Sequence, residues 1–186
     1  MESKKEVGFS QKNVFGTIPI HSGNKMKKVI AVSTGEITTT KKDTILKSSA
    51  IGSCVVIAAY DTKERVGALA HVMVPGKAPE GKKHQKEIYA ADAVEEMISR
   101  MILRGAKKEN IEICIAGGAN VLKRNDDTTG LDNITSVIEI LKKEKIKIKV
   151  KSVGGTERRS ISLDVENGSV YYSVGDGIEK LLWKAT

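Results

Sequence analysis

Only two cysteines and three histidines occur in 186 residues. Two cysteines in a chain that is 29% charged cannot build a disulfide framework. The histidines are scattered at His21, His71 and His84, and neither a C-x-x-C pair nor an H-E-x-x-H run is present, so no metal is expected. No apolar run approaches the ~18–20 residues that span a bilayer. The first residues, Met1 to Glu6, lack the apolar stretch of a secretory signal. A cytoplasmic protein with no direct membrane insertion is therefore expected. Gly117-Gly118 is followed by no Gly-Lys-Ser/Thr, which excludes a phosphate-binding loop. No internal repeat is visible.

Net charge is +8, from 31 basic and 23 acidic residues. Such a balance favours acidic partners, nucleic acid among them. The lysines form no recognition motif, however. They are spread over Lys25–Lys28, Lys82-Lys83, Lys107-Lys108 and the stretch up to Lys151. There Ile146, Ile148 and Val150 alternate with Lys145, Lys147, Lys149 and Lys151, the period of a strand with one apolar and one lysine-covered face. A solvated basic face that discourages edge-to-edge pairing explains the charge, and no nucleic acid is expected.

Residues 1–25 are polar, carry Gly8, Gly16 and Gly23, and show no sustained period; they read as a mobile amino-terminal extension. Residues 26–186 then read as one domain, long enough to bury a sizeable core. Lys27 to Val32 is the first strand, and Pro75 to Lys86 is a loop containing a solvated His84. A helix follows between Glu87 and Arg104, where Ala90, Val94, Met97, Ile98 and Met101 fall on one stripe before Gly105. Ile111 to Ala116 is a strand, with Cys114 as a buried member of no assigned chemistry. A second helix starts near Asp132, with Ile134, Val137, Ile138 and Leu141 on one face. Glu166-Asn167-Gly168 turns a late hairpin, and Gly175 to Trp183 reads as a short closing helix. This order predicts an α/β sandwich of the α+β type, with mixed or antiparallel sheets packed against helices in a single domain.

The chemistry centres on Cys54 and His71. Cys54 opens the apolar run to Tyr60, and His71 lies in a second run, Val66 to Pro75. The polar stretch Asp61-Thr62-Lys63-Glu64-Arg65 joins them, so the two runs read as a hairpin of buried strands. The start of the first strand then faces the end of the second, which brings the thiol close to the imidazole. Two readings stand at this point. One is packing, since cysteine is among the most buried residue types. The other is nucleophilic catalysis, with His71 taking the proton and the thiolate attacking a carbonyl. Gly52 and Ser53 favour the second, because a turn before the cysteine can turn free N–H groups toward an oxyanion.

Four sequence elements in order carry a family resemblance. They are Gly52-Ser53-Cys54-Val55, Gly67-Ala68-Leu69-Ala70-His71-Val72-Met73-Val74-Pro75, Ala116-Gly117-Gly118-Ala119, and Gly154-Gly155-Thr156-Glu157-Arg158-Arg159-Ser160. From about Met26 to near Trp183 the chain resembles the chemoreceptor glutamine deamidases, the CheD family. The resemblance implies a cysteine hydrolase that converts glutamines of chemotaxis receptors to glutamate with release of ammonia and without a cofactor. It implies Cys54 as nucleophile, His71 as general base and Ser48 in the third catalytic position, where the family carries Thr. Two further departures are Ala50 in place of a frequent glycine, and Gly130-Leu131-Asp132-Asn133 in place of Gly-x-Arg-Asn. The implied partners are the cytoplasmic region of the receptors and a CheC-type phosphatase. An alternative within the same resemblance is a regulatory module that binds this phosphatase and tunes signalling without turnover.

Overall fold

The computed structural model of the protein describes residues 27–185; the predicted extension over 1–25 lies outside them. The chain builds two five-stranded sheets. One has the order β1 (Lys28–Ala31), β3 (Thr44–Ile51), β8 (Arg159–Asp164), β9 (Ser169–Val174) and β10 (Lys180–Lys184). The other runs β2 (Ile37–Thr40), β5 (Val66–Val72), β4 (Val55–Asp61), β6 (Ile111–Gly117) and β7 (Lys147–Val153). Each contains one parallel pair, β1 with β3 and β6 with β7, among antiparallel ones. Helices α1 (Ala90–Ile102) and α2 (Thr129–Lys143) cover the outer face of the second sheet. The mixed sheets and packed helices of the expected α+β fold are present, arranged as sheet, sheet, helices.

The second sheet is thus the middle layer, and this explains its sequence. Val55, Ile57 and Ala59 of β4 face the helices, while Val56, Ala58 and Tyr60 face the first sheet. With both faces covered there is no wet side to encode, so β4 and β5 are apolar at nearly every position. On α1 the predicted stripe, Ala90, Val94, Met97, Ile98 and Met101, is the buried face. On α2, Ile134, Val137 and Leu141 are buried and Ile138 packs beside them.

The β4–β5 register is set at its turn. The wholly buried Asp61 accepts the N–H groups of Lys63 and Glu64 on one carboxylate oxygen and that of Lys107 on the other. A slip of one residue would send every side chain of β5 to the opposite layer. In the observed register Val56 opposes His71, so His71 points into the layer between the sheets.

Three expectations are corrected. Lys180–Lys184 is a strand, not a helix. It pairs antiparallel with β9 through an irregularity between Leu181 and Trp183. So short a segment cannot nucleate a helix alone, while the open edge of β9 supplies backbone partners. The lysine-alternating segment does not keep one apolar face. Lys149 is an extra residue against β6, so Ile148 packs on the helix side and Val150 between the sheets. Lys149 itself meets Glu112 at 2.7 Å. Part of the loop after Pro75 is a kinked 3-10 stretch, Glu80–Ile88, in which His84 is exposed as predicted.

Candidate active site

Two of the chain's crossings between the sheets, β1 to β2 and β3 to β4, meet the end of β5. The second crossing is the bend Gly52-Ser53-Cys54. It follows a bulge on β3, where Ser48 to Ile51 opposes the shorter span Ile161 to Arg159 of β8. Ala50 sits in this bulge at φ 56°, the left-handed conformation that glycine adopts without strain. Ser48, on the first sheet, faces His71, on the second. Both are buried, 2% and 5% exposed. His71 lies at the end of β5 as the sequence implied, and its ring is buried within the inter-sheet layer.

Hydrogen bonding fixes the tautomer of that ring. The Ser48 hydroxyl donates its one proton to the Val32 carbonyl at 2.8 Å. Its oxygen lies 2.9 Å from His71 Nδ1 and so can only accept from it. Nδ1 therefore carries the proton and Nε2 the lone pair. Burial lowers the pKa of His71 from its ordinary value, with the Val32 carbonyl and the charge of Glu36 pulling it back. The ring is held neutral, its basic nitrogen away from Ser48.

Cys54 is half-buried. Burial raises its thiol pKa, opposed by its own N–H and by a hydrogen-bonding interaction with the Thr34 side chain. At rest the pair is thus a neutral thiol and a neutral imidazole, not a thiolate–imidazolium pair. Cys114, wholly buried on β6, is pushed up to about 12. It is the inert strand residue that the sequence suggested.

The bend around Cys54 is held through its carbonyls. Gly52 C=O accepts from the Ala119 N–H at 2.8 Å, and Cys54 C=O accepts from Gly118 at 2.7 Å. Ser53 C=O accepts from Asn133 Nδ2 at 3.0 Å. No acceptor among the described residues takes the N–H of Gly52 or Ser53, and that of Cys54 lies against its own sulfur. A Cβ on Gly117 would stand 2.2 Å from the Cys54 carbonyl oxygen, so only glycine permits this contact. The Gly154-Gly155 turn closes the far side, with Gly154 N–H on Gly117 C=O at 2.9 Å and Gly155 C=O on Asn120 N–H at 2.8 Å. Arg159 holds β8 to β7 through Ser152 Oγ. All four sequence elements that carry the resemblance converge on this bend.

Two residues were missed by the sequence reading. Asn133, fully buried on α2, donates from Nδ2 to the carbonyls of both Ser53 and Met73 at 3.0 Å each, tying the cysteine bend to the chain leaving β5. Its match to the last position of Gly-x-Arg-Asn was the available signal. Thr34, an exposed residue of the β1–β2 crossing, brings its hydroxyl to 3.5 Å from His71 Nε2. No spacing rule pointed to it.

Three carboxylates, Asp43, Asp164 and Glu166, lie close enough together to hold a cation. Lys27 Nζ already ion-pairs with all three at 3.5, 2.7 and 2.5 Å, so an ammonium group occupies the place a cation would take. It lies at the opposite end of β3 from Ser48, in register with Thr44 and Ile45.

The family model described as CheD chemotactic sensory transduction matches residues 73–173. The chain belongs to the CheD family. A probable chemoreceptor glutamine deamidase CheD of Chlorobium luteolum is 38% identical over 154 residues, 83% of this chain and 77% of that protein. The chemoreceptor glutamine deamidase CheD of Thermotoga maritima is 34% identical over 156 residues, 84% of this chain and 97% of its own. A probable CheD deamidase of Methanococcus maripaludis is 34% identical, covering 82% and 99%. The span matched by the family model starts just past His71. Cys54, His71 and Ser48 lie outside it and rest on their own geometry.

Proposed function

We propose that this CheD protein hydrolyses selected glutamine side chains on the cytoplasmic region of chemotaxis receptors to glutamate and ammonia. In this reading Cys54 is the nucleophile, His71 the general base and Ser48 the group that orients it. The observation that carries the roles is the Ser48 oxygen held between the Val32 carbonyl and His71 Nδ1, which leaves the lone pair on Nε2, with the half-buried thiol on the bend that leads into β4. As Cys54 sulfur bonds to the carboxamide carbon, its proton passes to Nε2. The carbonyl oxygen becomes an oxyanion, taken up by the uncommitted N–H groups of Gly52 and Ser53. His71 returns the proton to the amide nitrogen, the C–N bond breaks and ammonia leaves a thioester. Water, deprotonated by Nε2, attacks the thioester carbon; the C–S bond breaks, the imidazolium returns the proton to sulfur, and the glutamic acid product gives its own proton to solvent. No step calls for a metal or cofactor.

Family membership supports the receptor as substrate, since the relatives are named for that reaction. Action on the cytoplasmic side is part of the proposal. No helix of the described residues is long and apolar enough to cross a membrane. Association with a CheC-type phosphatase belongs to the same proposal and rests on the family resemblance alone.

The test is ammonia release from receptor cytoplasmic fragments, with mass spectrometry locating each new glutamate. Cys54→Ala should abolish release, and His71→Ala should lower it by ~10²–10⁴-fold. Release by Cys54→Ala at the wild-type rate would overturn the assignment. The active form has a neutral ring, and burial keeps it neutral to below the ordinary 6.5. Turnover should therefore persist at pH 6.5 and fall only as the ring protonates below it.

A further inference from the structure

The hydroxyl of Thr34 faces the basic nitrogen of His71 at 3.5 Å. Ser33 to Glu36 forms a β-turn closed by Glu36 N–H on Ser33 C=O at 2.9 Å, with Gly35 at φ 77° in its third position. Thr34 is the corner residue. The turn is bolted to His71 itself, with Gly35 N–H donating to His71 C=O at 2.8 Å and His71 N–H donating to Glu36 C=O at 3.1 Å. Glu36 Oε2 also accepts the Ser33 N–H at 2.7 Å. A residue on an exposed loop is thereby fixed relative to one imidazole. Its hydroxyl lies 3.5 Å from Nε2, on the side of the ring away from Ser48, and interacts with the Cys54 thiol. Among the described residues no direct hydrogen bond joins Cys54 to His71.

We propose that Thr34 is a proton-relay residue, its hydroxyl carrying the Cys54 proton to His71 Nε2 when the thiol is activated. The thiol proton passes to Thr34 Oγ1 while the Oγ1 proton passes to Nε2. The products are a thiolate, an imidazolium and an unchanged hydroxyl, so charge and atoms balance. The relay deepens the deamidase reading and rests on it for its purpose, but the step itself needs no receptor. The charged group acting on the ring is Glu36, on the same turn. The Thr34 hydroxyl is the side chain that meets Nε2 and also favours the Cys54 thiolate.

Alkylation of Cys54 by iodoacetamide, followed from pH 5 to 10 by peptide mass spectrometry, reads thiolate formation without any substrate. Wild type should show an assisted phase near neutrality, set by the neutral ring. Thr34→Val keeps the shape and removes the hydroxyl; it should lose that phase, slowing labelling at pH 7 by about tenfold or more, with labelling rising only above the ordinary thiol range. Thr34→Ser should restore the phase, and thermal unfolding of both variants should match wild type because Thr34 is exposed. A Thr34→Val profile superimposable on wild type would overturn the relay, and so would a Thr34→Ser profile matching Thr34→Val. Wild-type protein that shows the assisted phase yet releases no ammonia from receptor fragments would instead sink the deamidase reading and leave the relay standing.

Discussion

The two cysteines adjoin the same apolar layer in chemically opposite settings. Cys114 lies inside β6, its backbone committed between β4 and β7, with no exposed surface. Cys54 lies where the chain leaves one sheet for the other. There the carbonyls of Gly52, Ser53 and Cys54 are tied to Ala119, Asn133 and Gly118, while N–H groups are released. Burial raises both thiols, so burial is not what separates them. Leaving the ladder is. Departure from regular pairing gives a cysteine solvent and free backbone donors, which Cys114 within the ladder lacks.

The largest test of that contrast is reactivity. Under native conditions iodoacetamide should modify Cys54 on the order of a thousandfold faster than Cys114, whose labelling requires opening of the central sheet. In denaturant the two rates should converge. Similar rates in the folded protein would break the comparison.

Much of that contrast is legible in the sequence. A hairpin is local, and two apolar runs with a five-residue polar joint fix its register closely enough to bring Cys54 near His71. The two glycine pairs, at 117-118 and 154-155, signal close backbone approach, and the close approach is to the cysteine bend itself. Contacts that depend on sheet order are not legible. Thr34 reaches His71 because β2 happens to flank β5, which no spacing encodes. The Lys149 bulge breaks an alternation whose sequence pattern is regular. β10 misleads for the same reason: its strand state comes from the edge of β9 rather than from its own residues.

A smaller effect separates the polar inclusion around Cys54 from the purely apolar packing around Cys114. Ser48→Ala should slow turnover about five- to tenfold, the worth of one hydrogen bond of ~1 kcal/mol. The loss is limited because the Val32 carbonyl, freed from Ser48 and already acting on the ring, can accept from Nδ1 in its place. Cys114→Ala should leave turnover unchanged and lower only stability. Ser48→Ala as severe as His71→Ala would mean that Val32 cannot hold the ring, and full activity would remove Ser48 from the site.

The smallest effect concerns the backbone beside each thiol. Ala50 holds φ 56° in the bulge before Cys54, where an L side chain meets a penalty of roughly 1–2 kcal/mol. Ala50 is exposed, so its methyl group contributes little packing. Ala50→Gly removes the penalty and adds about 0.4–1 kcal/mol of unfolded-state entropy, leaving a net stabilisation of ~0.5–1 kcal/mol. Ala116, two residues past Cys114, is wholly buried in regular β6. Ala116→Gly there loses packing and gains the same entropy, so it should destabilise by ~1 kcal/mol or more. Urea midpoints at constant m-value read both changes, and the two should differ in sign. A lowered midpoint for Ala50→Gly would mean that the left-handed bulge carries no strain, and that the bend around Cys54 tolerates alanine as readily as the ladder around Cys114.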